Sequence, residues 1–166
     1  MKYMTYFMPN KELSDLILKQ GQIVLPGSGL HSTLCVFYMD EENELALIED
    51  LSHLDFKAFR TRSEGFDDFD KGSLVLRLSS PDDLVKLHGD IVSIVLHYVS
   101  SESQFEETVG RFYLDNYNPH LTISESSSDF NREKVLIGKE IFVSEYILAK
   151  KERGNWEKVR SFSSME

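Results

Sequence analysis

The chain contains the same short pattern twice, as LHSTL at residues 30–34 and as PHLTI at residues 119–123. Each copy places a threonine two positions after a histidine, among residues that favour a β-strand. Side chains two positions apart in a strand point to the same face, about 7 Å apart. The pairs that share a face are His31 with Thr33 and His120 with Thr122. Because each pair sits on a rigid strand, we expect the two imidazoles and two hydroxyls to converge on one phosphoryl group.

Length and composition are those of an ordinary globular domain. The chain has 166 residues, of which 41% are apolar and 28% charged, so it can bury a substantial core. We therefore expect a single domain over residues 1–166. Because no feature of the sequence indicates self-association, we also expect a monomer.

Charge and cysteine content restrict the partner and the compartment. A net charge of −10 has the wrong sign for holding a long polyanion, so the expected partner is a nucleotide or an RNA 3′ end and not a long nucleic acid. The single cysteine, Cys35, excludes an internal disulfide and predicts a reducing, cytoplasmic location. The apolar runs are too short to cross a bilayer and residues 1–5 lack a signal-peptide pattern, so no membrane partner is expected.

Apolar periodicity predicts strands and helices that mix without strict alternation. The predicted strands cover residues 1–8, 30–38, 54–63, 72–79 and 119–124, and a closing hairpin covers 141–150 and 156–162. The predicted helices cover residues 11–20, 41–53, 81–98 and 130–137. Two similar halves that each carry one His-Thr pair indicate an α+β fold with two lobes facing a central cleft.

Local signals set the starts of the first two helices. Asn10 is placed to cap the first, and Asp40 the second. In the second helix the pattern puts Leu45, Ile48 and Leu51 on one side, which predicts its buried face.

The residue types of the repeated pattern suit phosphodiester cleavage. The reaction needs a base that takes a proton from the nucleophile and an acid that gives one to the leaving oxygen, and histidine suits both roles near neutral pH. Threonine hydroxyls can donate to the non-bridging oxygens, on which charge builds up in the transition state. This chemistry requires neither a metal nor a cofactor, and the sequence contains no convincing set of metal ligands.

The two His-x-Thr segments, each followed by an apolar residue, Leu34 or Ile123, resemble the 2H phosphoesterase superfamily, which includes 2′-5′ RNA ligase-like cyclic phosphodiesterases. The resemblance covers most of the chain. It implies a bilobal, pseudo-symmetric α+β fold, in which two antiparallel-rich sheets face a central cleft with the helices outside. It also implies hydrolysis of 2′,3′-cyclic phosphates, usually to a 2′-phosphomonoester. By this resemblance His120 is the base that activates water and His31 the acid that protonates the leaving 3′ oxygen.

Two other functions fit the same residues. Some relatives in the superfamily bind a nucleotide such as AMP without turning it over, so a binding module is the alternative to a phosphodiesterase that acts on 2′,3′-cyclic or 2′,5′-linked substrates. RNA ligation is the reverse reaction and is chemically allowed. We rank it last, because water at high concentration favours hydrolysis.

Four further residues are candidates for substrate contact. Tyr3 on the first strand, and Tyr113 or Tyr117 just before the second His-Thr segment, could stack against a base. Arg77 alternates with three leucines and so points away from their face, where it could bind phosphate or pair with an acid.

The other chemistry-bearing residues are expected to be structural. Alternation puts Cys35 on the face of His31 and Thr33, where a buried apolar role is expected. The segment 27–29 (GSG) precedes a strand and lacks a P-loop ending, so it is expected to be a linker. The histidines expected to have structural or surface roles are His53, His88 and His97, and the acidic residues expected in a solvated turn are Glu64, Asp67, Asp68 and Asp70.

Overall fold

The structure is a computed structural model that describes residues 1–20, 29–69, 72–99, 114–124, 131–132 and 134–165. These residues contain eight β-strands and three α-helices. The strands are β1 (Lys2–Phe7), β2 (Ser32–Tyr38), β3 (Phe59–Phe69), β4 (Ser73–Leu78), β5 (His120–Ser124), β6 (Glu140–Val143), β7 (Glu145–Glu152) and β8 (Asn155–Ser163). The helices are α1 (Lys11–Leu18), α2 (Glu44–Ser52) and α3 (Asp82–Val95).

The strands form two antiparallel sheets of four strands each. Sheet I has the order β2-β1-β7-β8, and sheet II has the order β5-β4-β3-β6. The strands β2 and β5, which carry the two threonines of the repeated pattern, are edge strands of their sheets, and they contact one another. The α+β fold with two antiparallel sheets is confirmed.

One large apolar core joins the two sheets to the helices. On β4, Leu74, Leu76 and Leu78 are buried, and they belong to the same cluster of side chains as Tyr3 and Phe37 of sheet I. Apolar burial contributes about 25 cal/mol per Å². Burial in this shared core therefore fixes the position of one sheet, and of its edge strand, relative to the other.

The opposite face of sheet I is apolar as well. Met4, Tyr6, Ile147 and Ala149 form a second buried cluster there. Tyr6 is the cross-strand partner of Thr33, so this is the face on which the threonine of the first His-Thr segment lies.

A register shift in β2 separates Thr33 from Cys35. Tyr6 pairs with Thr33 but Thr5 pairs with Cys35, so Leu34 has no partner in β1. A shift of one residue reverses the face to which the following side chains point. Cys35 therefore lies in the main core, 1% exposed, which confirms its buried role but corrects the shared face that simple alternation predicts.

The start of α2 differs from the prediction. A 3₁₀ turn, Glu41–Asn43, precedes the α-helix, and the Asp40 side chain makes no capping hydrogen bond. The buried residues of α2 are Leu47 and Leu51, whereas Leu45 is 79% exposed. The prediction for Leu45 is wrong because Leu45 lies about 120° around the helix from Leu51, whereas Leu47, four residues before Leu51, lies only about 40° from it.

The acidic segment that we predicted as a turn belongs to a strand. β3 continues to Phe69, and Asp67 and Asp68 pair with residues of β4. The ladder of hydrogen bonds holds these residues extended despite their low β-propensity. The Asp68 carboxylate forms an ion pair with Arg132 at 2.6 Å. Asp70 lies outside the described residues.

The closing hairpin also differs from the prediction in one respect. Residues 141–150 form parts of two strands, β6 in sheet II and β7 in sheet I, which are separated at Ser144. The chain thus passes from one sheet to the other at this point. β7 then turns into β8 through Gly154, whose φ of 89° is a left-handed conformation that glycine adopts without strain.

The last predicted helix, 130–137, lies partly outside the described residues. Its described part contains a 3₁₀ turn, Lys134–Leu136, whose Leu136 is buried. In the part of the chain that the structure describes, no helix combines the length and apolar character needed to span a membrane.

Candidate active site

His31 lies immediately before β2 and is held by a hydrogen bond to its own backbone segment. Its Nδ1 lies 2.9 Å from the carbonyl oxygen of Gly29. Gly29 has a φ of 72°, a left-handed conformation that favours glycine, and this turn directs its carbonyl toward the ring. With Nδ1–H as the donor, the lone pair of the neutral ring is on Nε2.

His120, the first residue of β5, repeats this arrangement. Its Nδ1 lies 2.7 Å from the carbonyl oxygen of Asn118, again two residues earlier in the chain. The same tautomer follows, with the lone pair on Nε2. The two histidines therefore have the same local geometry, although they lie in different sheets.

An aromatic ring packs edge-on against each imidazole. Tyr6 lies 5.1 Å from the ring of His31, at an interplanar angle of 62°. Phe69 lies 4.6 Å from the ring of His120, at an angle of 64°. These T-shaped contacts restrict both imidazoles and reduce their hydration.

Both threonines are half-buried on the face that carries the histidine of their own segment. The Thr33 hydroxyl donates to Met4 Sδ at 3.6 Å, and thioether sulfur is a weak acceptor. Thr122 pairs with Val75, two positions along from the pairing of His120 with Arg77, and no register shift separates these two pairs. A phosphate oxygen is a much better acceptor than a thioether, so the Thr33 hydroxyl can readily turn to an anionic ligand.

Burial lowers the pKa of both imidazoles. For His31, loss of hydration is the main cause, the hydrogen bond to Gly29 opposes it, and the positive charge of His120 lowers the pKa further. For His120, loss of hydration again lowers the pKa and the hydrogen bond to Asn118 opposes it. The charge of His120 is thus one of the causes that lower the pKa of His31, as expected for two imidazoles on strands that contact one another.

The structure describes two of the three tyrosines that are candidates for substrate contact. Tyr3 is fully buried, stacks on Phe37 and donates to Glu44, so its placement does not support substrate contact. Tyr117 is half-buried against the main core, and one face of its ring is occupied by His88. Tyr113 lies outside the described residues.

Arg77 lies on the face of sheet II that carries His120. The two residues are cross-strand partners, and the Arg77 side chain is 44% exposed. Its guanidinium extends over Gly65 of β3, where its Nε lies 4.0 Å from a carboxylate oxygen of Asp67. Arg77 is therefore an exposed cation on the His120 face, only loosely paired with an acid.

Sequence reasoning missed the groups that orient the imidazoles. The carbonyls of Gly29 and Asn118 carry no sequence signal, since every residue has one. Tyr6 could have been found once the pairing of β1 with β2 was known, because it lies directly opposite Thr33. Phe69 could not, because the acidic segment before it was predicted to be a turn.

The other histidines are not part of the imidazole pair. His88 is 1% exposed and bonds backbone groups through both ring nitrogens. His53 and His97 are exposed at the ends of helices. Among the described residues, no group of three or more His, Cys, Asp and Glu side chains is arranged to hold a metal ion.

Two antiparallel sheets whose adjoining edge strands each carry a His-x-Thr segment define the class of 2H phosphoesterases. The chain belongs to the 2′-5′ RNA ligase superfamily, whose family model matches residues 21–136. Membership supports a phosphoesterase-type function and a phosphoryl-transfer enzyme. No curated protein matches the sequence.

Solved structures share the fold over nearly the whole chain. LigT of E. coli complexed with 3′-AMP has a TM-score of 0.71 at 15% identity, covering 99% of this chain and 98% of its own. TT0787 of Thermus thermophilus has a TM-score of 0.72 at 21% identity, covering 98% and 97%. Usb1 of Kluyveromyces marxianus has a TM-score of 0.53 at 13% identity, covering 95% and 96%. These similarities show the fold.

Proposed function

We propose that this protein is a metal-independent phosphodiesterase that hydrolyses 2′,3′-cyclic or 2′,5′-linked phosphodiesters of nucleotides or RNA ends. The observation that carries the proposal is the duplicated imidazole: two histidines, oriented by the same type of backbone hydrogen bond, stand at the starts of two edge strands that contact one another. LigT has also been solved with phosphate, 3′-AMP and ATP, which supports a nucleotide ligand. The net charge of −10 favours a small substrate over long RNA.

In the proposed reaction the two imidazoles have opposite roles. His120 takes a proton from water through Nε2, and the water oxygen attacks phosphorus. The bond from phosphorus to the 3′ oxygen breaks, and His31 gives that oxygen a proton, which leaves a 2′-phosphate and a 3′-hydroxyl. Because charging one imidazole disfavours charging the other, the pair is biased toward the singly protonated state that this chemistry needs.

The hydroxyls and the guanidinium complete the proposed site. Thr33 and Thr122 donate to the two non-bridging oxygens, which gain charge in the transition state. Arg77, exposed beside the site, attracts the substrate phosphate as a diffuse positive charge.

The test is a panel of 2′,3′-cyclic nucleotides and 2′,5′-linked dinucleotides, incubated with the protein in the presence of EDTA, with product identification and parallel calorimetry with mononucleotides. The proposal requires turnover of at least one member, with a 2′-phosphate as the product of the cyclic substrates. Tight binding of AMP with no product from any member contradicts it and establishes a binding module instead.

The lowered pKa values predict an acidic optimum. The free enzyme needs one neutral and one protonated imidazole, and both pKa values lie below the ordinary value of 6.5. As pH rises through the higher of the two, the acid loses its proton; as pH falls through the lower, the base gains one. We therefore expect kcat/KM to give a bell-shaped profile with its maximum below pH 6.5. A profile that rises through pH 6.5 to an alkaline plateau contradicts this assignment.

A further inference from the structure

Tyr117 connects the approach to the second His-Thr segment with the backbone of the first. It lies three residues before His120, and its hydroxyl donates to the carbonyl oxygen of Thr33 at 3.3 Å. The contact links the segment that leads into β5 of sheet II to β2 of sheet I, and these two strands contact one another. It reaches β2 at the register shift, where Leu34 has no partner in β1.

His88 of α3 binds the next carbonyl along. Its Nδ1 donates to the carbonyl oxygen of Leu34 at 2.6 Å, so these two side chains bind consecutive carbonyls in the shifted part of β2. Its ring also stacks on Tyr117, with ring centres 3.9 Å apart and planes 5° from parallel.

The other ring nitrogen of His88 holds the chain that leads into β5. Its Nε2 accepts the backbone N–H of Leu114 at 3.0 Å. Leu114 has a φ of 50°, a left-handed conformation that is strained for a leucine and needs contacts to maintain it. His88 therefore fixes both the backbone after Thr33 and the segment that precedes His120.

We propose that Tyr117 and His88 are positioning residues, which hold the first His-Thr segment against the start of the second and so set the spacing of the two imidazoles. The inference rests on the proposed function, in which both imidazoles act on one phosphoryl group. Displacement of a catalytic group by about 1 Å can lower a rate about a hundredfold. Loss of one such bond shifts the spacing without removing any group that touches substrate.

The test uses Tyr117→Phe, which removes the hydroxyl but keeps the stacked ring. The matched control is Tyr146→Phe, because Tyr146 also donates to a backbone carbonyl at 3.3 Å, that of Leu51, at the contact of β7 with α2. With labelled histidine, NMR of the substrate-free proteins is expected to show shifted imidazole resonances for His31 and His120 in Tyr117→Phe and unchanged ones in Tyr146→Phe. We expect kcat to fall about tenfold with nearly unchanged KM in Tyr117→Phe alone.

If the His31 and His120 resonances of Tyr117→Phe are the same as those of Tyr146→Phe, the inference is overturned. It is also overturned if the two variants lose kcat to the same extent. If the wild-type protein turns over no substrate, the proposed function fails, and the resonances of the substrate-free variants still decide the positioning inference. His88→Asn, which removes the stacked ring, is the second variant. It is expected to move the same two resonances, and their constancy in a folded His88→Asn protein contradicts the inference.

Discussion

Replacing His120 by alanine is expected to lower kcat/KM for a 2′,3′-cyclic nucleotide by about a hundredfold or more, the contribution of a positioned general base. His31→Ala is expected to have an effect of the same order, through loss of the general acid. Fold and thermal stability should be largely retained, because both side chains are only partly buried and lie outside the main core. Steady-state kinetics beside circular dichroism measures both quantities.

A substrate with a better leaving group separates the two roles. A p-nitrophenyl phosphodiester releases a phenolate that needs little protonation, so it depends less on a general acid. We expect the loss caused by His31→Ala to shrink on this substrate, while the loss caused by His120→Ala remains. If instead the loss caused by His120→Ala shrinks and that caused by His31→Ala remains, His120 is the acid and His31 the base.

Exposed histidines provide the control. His53 and His97 lie at helix ends, and replacement of either by alanine should leave kcat/KM unchanged. If His31→Ala or His120→Ala keeps wild-type activity, or if His53→Ala loses as much as they do, paired-histidine catalysis does not occur in this protein.

The second large effect is expected from the hydroxyls. Thr33→Val and Thr122→Val keep a β-branched side chain of similar shape but remove the donor. If each hydroxyl stabilises charge on a phosphate oxygen, each change should raise the barrier by about 2.7–4 kcal/mol, a loss of about 10²–10³ in kcat with little change in KM.

A third threonine tests whether this loss is specific. Thr5, in the neighbouring strand β1, is fully buried, and its hydroxyl has no hydrogen-bond partner within the described structure. Thr5→Val should therefore leave kcat unchanged and cost no stability, since it removes an unsatisfied buried polar group. If Thr33→Val and Thr122→Val behave like Thr5→Val, the two hydroxyls do not act on the phosphoryl group.

Local sequence patterns predict much of the fold, because helix starts and the alternation of side chains in a strand depend on residues close together in the chain. The Asn10 side chain accepts the N–H of Leu13 at 3.1 Å and begins α1 at the predicted residue. The i, i+2 spacing puts Thr122 on the face of His120, because β5 is regular from His120 to Leu121 and Thr122. The two strands that carry the pattern could therefore be found from sequence alone.

Features that depend on tertiary contacts were not predictable in this way. The register shift that turns Cys35 into the core depends on pairing with β1, 30 residues earlier in the chain. The ladder to β4 makes a strand of Asp67 and Asp68, against their propensity. The division of residues 141–150 at Ser144 arises because the chain passes between sheets whose arrangement no local pattern encodes.

The central claim is that both imidazoles bind one phosphoryl group, and a phosphate titration followed by histidine NMR tests it most directly. Inorganic phosphate is the group common to every proposed substrate, and His31→Gln and His120→Gln assign the two resonances. We expect both resonances to follow a single binding curve, and both pKa values to rise, because the anion stabilises each imidazolium. A response from only one ring, or two separate binding curves, contradicts the claim.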